Sequence, residues 1–154
     1  MSKERTPEKI YDDLVTKGLY EEAHFDKDEV ANVKRMALED YAFGKVLRNM
    51  ETPNWRVIFN IHYDVLRELC DQLMRFKKQK TSNHQGVFAF IILNFPELDL
   101  GWPFFEIIRN IRNQNKYRGT NITKKIWKQV EFQIDLYIST LKTELEEKLE
   151  KTDE

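Results

Sequence analysis

The sequence predicts an all-α fold, an up-and-down bundle of about five or six helices, and three observations carry that expectation. Only 5 Gly and 4 Pro punctuate 154 residues, too few for a sheet that must turn every few residues. Apolar residues recur three and four apart over long stretches, and no segment alternates convincingly. With 41% hydrophobic and 33% charged residues, the chain has the size and composition of one domain around one core.

Thr6-Pro7-Glu8 combines an N-cap, a first-turn proline and an acid that suits the helix dipole. Ile10, Tyr11, Leu14 and Val15 follow at helical spacing, up to a stop at Gly18. Asp26 opens a second helix, with Glu29 placed to complete a capping box and Phe25 placed to staple onto Val30. Val30, Val33, Ala37, Tyr41 and Leu47 mark its face. It should stop near Met50, because Pro53 disfavours the α conformation at Thr52.

Asn54 then caps the clearest amphipathic helix, expected from Trp55 to about Gln79, whose stripe runs through Ile58, Phe59, His62, Val65, Leu66, Leu69, Cys70, Leu73 and Met74. The basic residues Arg75, Lys77, Lys78 and Lys80 suit its C-terminus and lead into the polar turn Thr81-Ser82-Asn83-His84. Residues 87 to 95 are apolar enough for a buried strand or a buried helix. Helix is expected, since a lone strand would have no partner. After a loop from Pro96 to Pro103, Phe104, Phe105, Ile107, Ile108 and Ile111 form the next stripe, which Gly119 should end. The last helix starts near Thr123 and carries Trp127, Val130, Ile134, Tyr137, Ile138, Leu141, Leu145 and Leu149, with last turns expected to fray. The expected organisation is therefore an N-terminal helical extension (1–25), the bundle (26–149) and a charged tail (150–154).

Several function classes are disfavoured at once. The longest apolar run, Val87 to Leu93, falls far short of the roughly 20 residues that cross a bilayer, and residues 1–5 lead into no apolar leader segment, so a cytoplasmic protein without a membrane partner is expected. Cys70 is the single cysteine and makes neither an intrachain disulfide nor a thiol pair for zinc. No histidine pair has helical metal-site spacing, and no calcium loop, glycine-rich phosphate loop or nucleophile elbow occurs, so no metal or cofactor is expected. His62 lies on the apolar stripe, where a hydrogen-bonded core histidine is the commoner role. His84, at an element end, suits a cap or an anion contact.

Charge is segregated, although the net charge is only -1. Between Glu106 and Lys128, seven basic residues (Arg109, Arg112, Lys116, Arg118, Lys124, Lys125 and Lys128) face one acid, which makes polyanions plausible partners. Arg109, Arg112, Asn113 and Lys116 fall three or four apart, on a helix face expected to lie opposite Ile107, Ile108 and Ile111. Guanidinium groups bind phosphate bidentately, an amide can read a base edge, and Tyr117 can stack on a base. The competing structural reading has the arginines pairing with acids of a neighbouring helix, while Asn113 and Tyr117 hold the chain as it leaves the helix.

Three segments stand in a telling order: Asn60-Ile61-His62-Tyr63-Asp64-Val65-Leu66-Arg67-Glu68-Leu69, then Ser82-Asn83-His84-Gln85-Gly86-Val87, then Ile108-Arg109-Asn110-Ile111-Arg112-Asn113-Gln114-Asn115-Lys116-Tyr117-Arg118-Gly119. Over about residues 26 to 140 they resemble the HEPN family, the helical domains named for higher eukaryotes and prokaryotes nucleotide-binding. They match, in turn, its long core helix, its polar turn before a short apolar helix, and its signature helix end. The family's nuclease members carry an arginine, a polar residue and, a few residues on, a histidine, and they cleave RNA without metal. Arg112-Asn113 matches the start of that motif, but Tyr117 stands where the histidine would be and none follows it. A phenol titrates near about 10 and an imidazole near about 6.5, so the family's acid-base step would be impaired.

The resemblance therefore implies a HEPN-like binder of RNA or a nucleotide, catalytically weak or inactive, with Arg109, Arg112, Asn113, Lys116, Tyr117 and Arg118 as its contacts. It also implies a homodimer, and a place in a toxin–antitoxin or defence system beside a small nucleotidyltransferase. One alternative is a metal-independent ribonuclease toxin, with Arg112 stabilising the scissile phosphate and Tyr117 or His84 moving the proton. Another is a structural or adaptor bundle whose apolar stripes bind a partner protein. Arg56 and His62 also show an Arg-x5-His spacing, on a different helix from the family's motif, as expected of a chance match.

Overall fold

A computed structural model describes residues 5–152, so residues 1–4 of the expected extension and 153–154 of the expected tail lie outside it. Six helices make an all-α bundle: α1 (Pro7–Thr16), α2 (Lys27–Arg48), α3 (Trp55–Arg75), α4 (His84–Asn94), α5 (Trp102–Arg118) and α6 (Lys124–Lys151). Four of the six start at the residues the sequence predicts. Thr6, Asp26, Asn54 and Thr123 each accept backbone N–H bonds in the first turn that follows. Gly18 and Gly119 adopt left-handed backbone (φ 69° and 68°) where α1 and α5 stop.

α3 is the hub. It packs against α2, α4, α5 and α6, and Ile58, Phe59, Tyr63, Leu66, Leu69, Leu73 and Met74 are all fully buried. Stacked aromatics join its middle to α4 and α5, with the Phe88 and Phe105 ring centroids 4.4 Å apart and Tyr63 edge-on to Phe88 at 6.0 Å. α1 docks on α4 through Ile10, Leu14 and Ala89, and the Tyr20 hydroxyl donates to the Gly86 carbonyl at 2.7 Å.

Three boundaries differ from expectation. α3 ends at Arg75, because residues 76–78 turn and Lys78 takes a left-handed conformation (φ 57°). Gln79–Lys80 then pairs antiparallel with Glu21–Glu22, a ladder of two residues a side that is too short to leave an alternating signature. α4 begins at His84, earlier than the apolar run, because the Asn83 side chain caps it through the Gly86 N–H at 2.9 Å. The expected polar-turn histidine is thus the first residue of a helix, with its ring facing α5.

Candidate functional site

The C-terminal half of α5 lies against α3 and the start of α4. Buried Phe105 and Ile108 are continued along the same stripe by Arg112, whose side chain is only 12% exposed. The arginine is therefore beside Ile108 rather than opposite it, while Ile107 is half exposed on the outer face. The reason is local: Arg112 lies over the buried Tyr63 ring, its guanidinium carbon 4.7 Å from the ring centroid, and its Nη1 donates to Asp64 Oδ1 at 2.9 Å. Tyr63 in turn meets His84 Nδ1 through its hydroxyl at 3.2 Å.

Arg109 is held by its own helix, with Nε and Nη2 donating to the Glu106 carboxylate at 3.1 and 3.3 Å. Gln85 of α4 donates to the same carboxylate at 3.1 Å. The competing structural reading is met in part, since one arginine does pair with an acid of the neighbouring helix. It is not met for Asn113 and Tyr117. The chain leaving α5 is held by Asn115, whose amide donates to the Thr120 carbonyl at 2.8 Å, and Tyr117 is 77% exposed.

Two cavities adjoin this helix, and Arg112 and Lys116 line both. The first, of about 350 Å³, brings Arg109, Asn113 and Tyr117 to those two and adds Ser82 and Asn83 from the turn before α4 and His84 from its first residue. Five of the six expected contacts meet here. Arg118 does not, because it stands two positions beyond Lys116, about 200° around the helix. The second, of about 550 Å³, is faced by Arg56, Asn60 and Asp64 of α3 and by Asn115 and Asn121. None of these five was singled out as a site residue from sequence. The available signal was the spacing of Arg56, Asn60 and Asp64, four apart along the polar edge of α3.

The first cavity is electropositive at its core. Burial pushes the His84 imidazole down to about 4, and the nearby Arg67, Arg112 and Lys116 charges push the same way against Asp64. His84 is thus neutral at pH 7, and its second ring nitrogen has no hydrogen-bond partner among the described residues. Lys116, which lines the cavity, makes no ion pair among the described residues. An anion entering this cavity meets cations that the protein's own acids have only partly neutralised.

A second histidine–arginine cluster joins α2, α3 and α6 on another side of α3. His62 Nδ1 lies 2.7 Å from the Ile58 carbonyl, which can only accept, so Nδ1 carries the hydrogen and Nε2 accepts from Arg48 Nη2 at 2.6 Å. Arg48 also grips Asp135 through both nitrogens at 2.9 and 2.6 Å, and the Tyr41 hydroxyl donates to the same carboxylate at 2.7 Å. Burial would raise the Asp135 carboxyl, but those bonds outweigh it and hold it below its ordinary value. His62 is fully buried, whereas Arg56 is an exposed residue of the second cavity, so the Arg-x5-His spacing joins nothing.

Among the described residues no three His, Cys, Asp or Glu side chains converge as a metal site requires, and no helix is long and apolar enough to cross a membrane. Fold and site together define an all-α bundle with a cationic cleft between one helix and the start of another. Compared with protein-family models, curated proteins and solved structures, the chain finds no match in any of the three.

Proposed function

We propose that this protein is a HEPN-like binder of RNA or of a nucleotide, with the ligand's phosphate held in the cleft between α5 and the start of α4. The observation that carries the reading is the convergence of Arg109, Arg112, Lys116 and neutral His84 on one cavity, where only Glu106 and Asp64 are paired against the arginines. Guanidinium and ammonium groups supply the phosphate contacts, and exposed Tyr117 at the rim supplies a platform for a base. The motif order described above supports the family assignment. On that assignment, α5 packs against its copy in a homodimer, which half-exposed Ile107 favours. A small nucleotidyltransferase of a toxin–antitoxin or defence system is the protein partner to test.

The test is fluorescence anisotropy of a labelled single-stranded RNA in low salt with EDTA, for wild type and Arg112→Ala. Wild type should bind, with log K falling linearly in log salt, and the variant should bind at least about tenfold more weakly with a shallower slope. Equal, weak binding by both proteins at low salt would remove the reading.

One observation favours a second reading, the metal-independent ribonuclease: His84 and Arg112 share a cavity although the signature histidine is missing. In that case the RNA recovered from the wild-type sample is cut and that from Arg112→Ala is intact. Intact RNA in both leaves binding alone.

A further inference from the structure

The second cavity carries chemistry that a phosphate site does not need. Its volume of about 550 Å³ falls in the range of small-ligand pockets, yet a carboxylate faces it. Asp64 Oδ1 is taken by Arg112, whereas Oδ2 has no partner among the described residues and the side chain is 46% exposed. A carboxylate repels phosphate and calls instead for neutral N–H donors. One α3 turn away Asn60 donates one amide N–H to Asn115, at 3.4 Å, and its carbonyl oxygen has no partner among the described residues. Two turns away, Arg56 makes no ion pair among the described residues. These residues share a face of α3 spanning about 12 Å, an acceptor end and a guanidinium end with an amide between them.

Among the four RNA bases only guanine matches that order. Its N1–H and N2–H₂ groups form a two-donor edge, and O6 and N7 form a two-acceptor edge that a guanidinium reads bidentately. Adenine lacks the N1 donor, while cytosine and uracil lack the second acceptor pair. We infer that the second cavity is a guanine subsite, in which Asp64 accepts from N1–H and N2–H₂ and Arg56 donates to O6 and N7. The nucleotide's phosphate crosses to Arg112 and Lys116, the two residues common to both cavities. The inference rests on the phosphate-binding reading above and names its ligand.

Titration calorimetry with GMP, AMP and inorganic phosphate separates the two. Wild type should bind GMP at least about tenfold more tightly than AMP, since one bidentate pair discriminates by about that factor or more. Asp64→Asn should bring the GMP-to-AMP ratio below about threefold, and so should Arg56→Met, a change at an exposed position that leaves the core intact. Equal affinities for GMP and AMP in wild type, or a ratio that survives both substitutions, overturn the guanine subsite while phosphate binding stands. Failure of all three probes, together with RNA, overturns both.

Discussion

His62 and His84 each stand beside an arginine, and burial pushes both rings down to about 4, yet their surroundings differ in one decisive respect. His62 spends both ring nitrogens on the protein, one to the Ile58 carbonyl and one to Arg48, and the arginine is clamped to Asp135. His84 spends one, on Tyr63, has no partner for the other among the described residues, and lines a cavity whose lysine makes no ion pair among them. The first cluster joins three helices and fills both nitrogens of its imidazole from within, although Arg48 Nε is buried without a partner among the described residues. The second leaves one ring nitrogen without a partner among the described residues. A shifted imidazole beside an arginine is thus no mark of function on its own; what separates the two is whether both ring nitrogens are satisfied internally.

The comparison breaks if damage to the sealed cluster does not cost stability. Arg48→Ala strips a partner from Asp135 and His62 together and removes the cation from the Trp127 face, so denaturant unfolding should show a loss of about 3–5 kcal/mol. Acid should probe the same cluster. The His62 value in the fold lies below the unfolded value of about 6.5, so the unfolded chain binds the extra proton first. Its contribution is complete above pH 6.5 and is lost as pH falls from 6.5 toward 4, by about 3 kcal/mol at most. A pH series of unfolding midpoints measures it; His84, also pushed down to about 4, adds a limb over the same window, so His62→Gln should make the limb shallower and His62→Gln with His84→Gln should flatten it.

Gly44→Ala should cost about 1–3 kcal/mol, because a Cβ there would come within 2.7 Å of His62 Cε1 and 3.2 Å of Ile61 Cγ2. The smallest stability effect is expected from the open cluster, where His84→Gln should change unfolding by less than about 1 kcal/mol. Its effect belongs to binding. A phosphate placed beside Arg112 and Lys116 would raise the His84 pKa, so binding takes up a proton and wild-type affinity for RNA should rise as pH falls from 7 to 5. That rise should be absent in His84→Gln when followed by anisotropy.

The candidate site was legible on α5 and dim elsewhere. Arg109, Arg112, Asn113, Lys116 and Tyr117 are one helix turn apart, so spacing alone gathers them. Asp64, Asn60 and Arg56 belong to a helix nearly fifty residues earlier, where they look like any solvent-facing edge until α5 is laid against them. The inner position of Arg112 was hidden for a related reason. A charged residue is assigned to the solvent side by pattern, whereas here an aromatic face and a carboxylate of α3 make burial of its stem favourable. Arg118 shows the reverse case, since its neighbours in sequence are in the cleft and helix geometry turns it away.

What the sequence by itself determined is local: an all-α chain of about five or six helices, the starts at Thr6, Asp26, Asn54 and Thr123, the stops at Gly18 and Gly119, and a core histidine at position 62. These depend on interactions within about one turn, and a linear string displays such spacings directly. The tertiary structure alone decided the two-residue ladder between segments 21–22 and 79–80, the meeting of His84 with Arg112 across Tyr63, and the second cavity opposite Asp64. Each joins residues far apart in the chain whose proximity depends on how whole helices pack, and the packing is set by buried area summed over many side chains rather than by any one residue's neighbours.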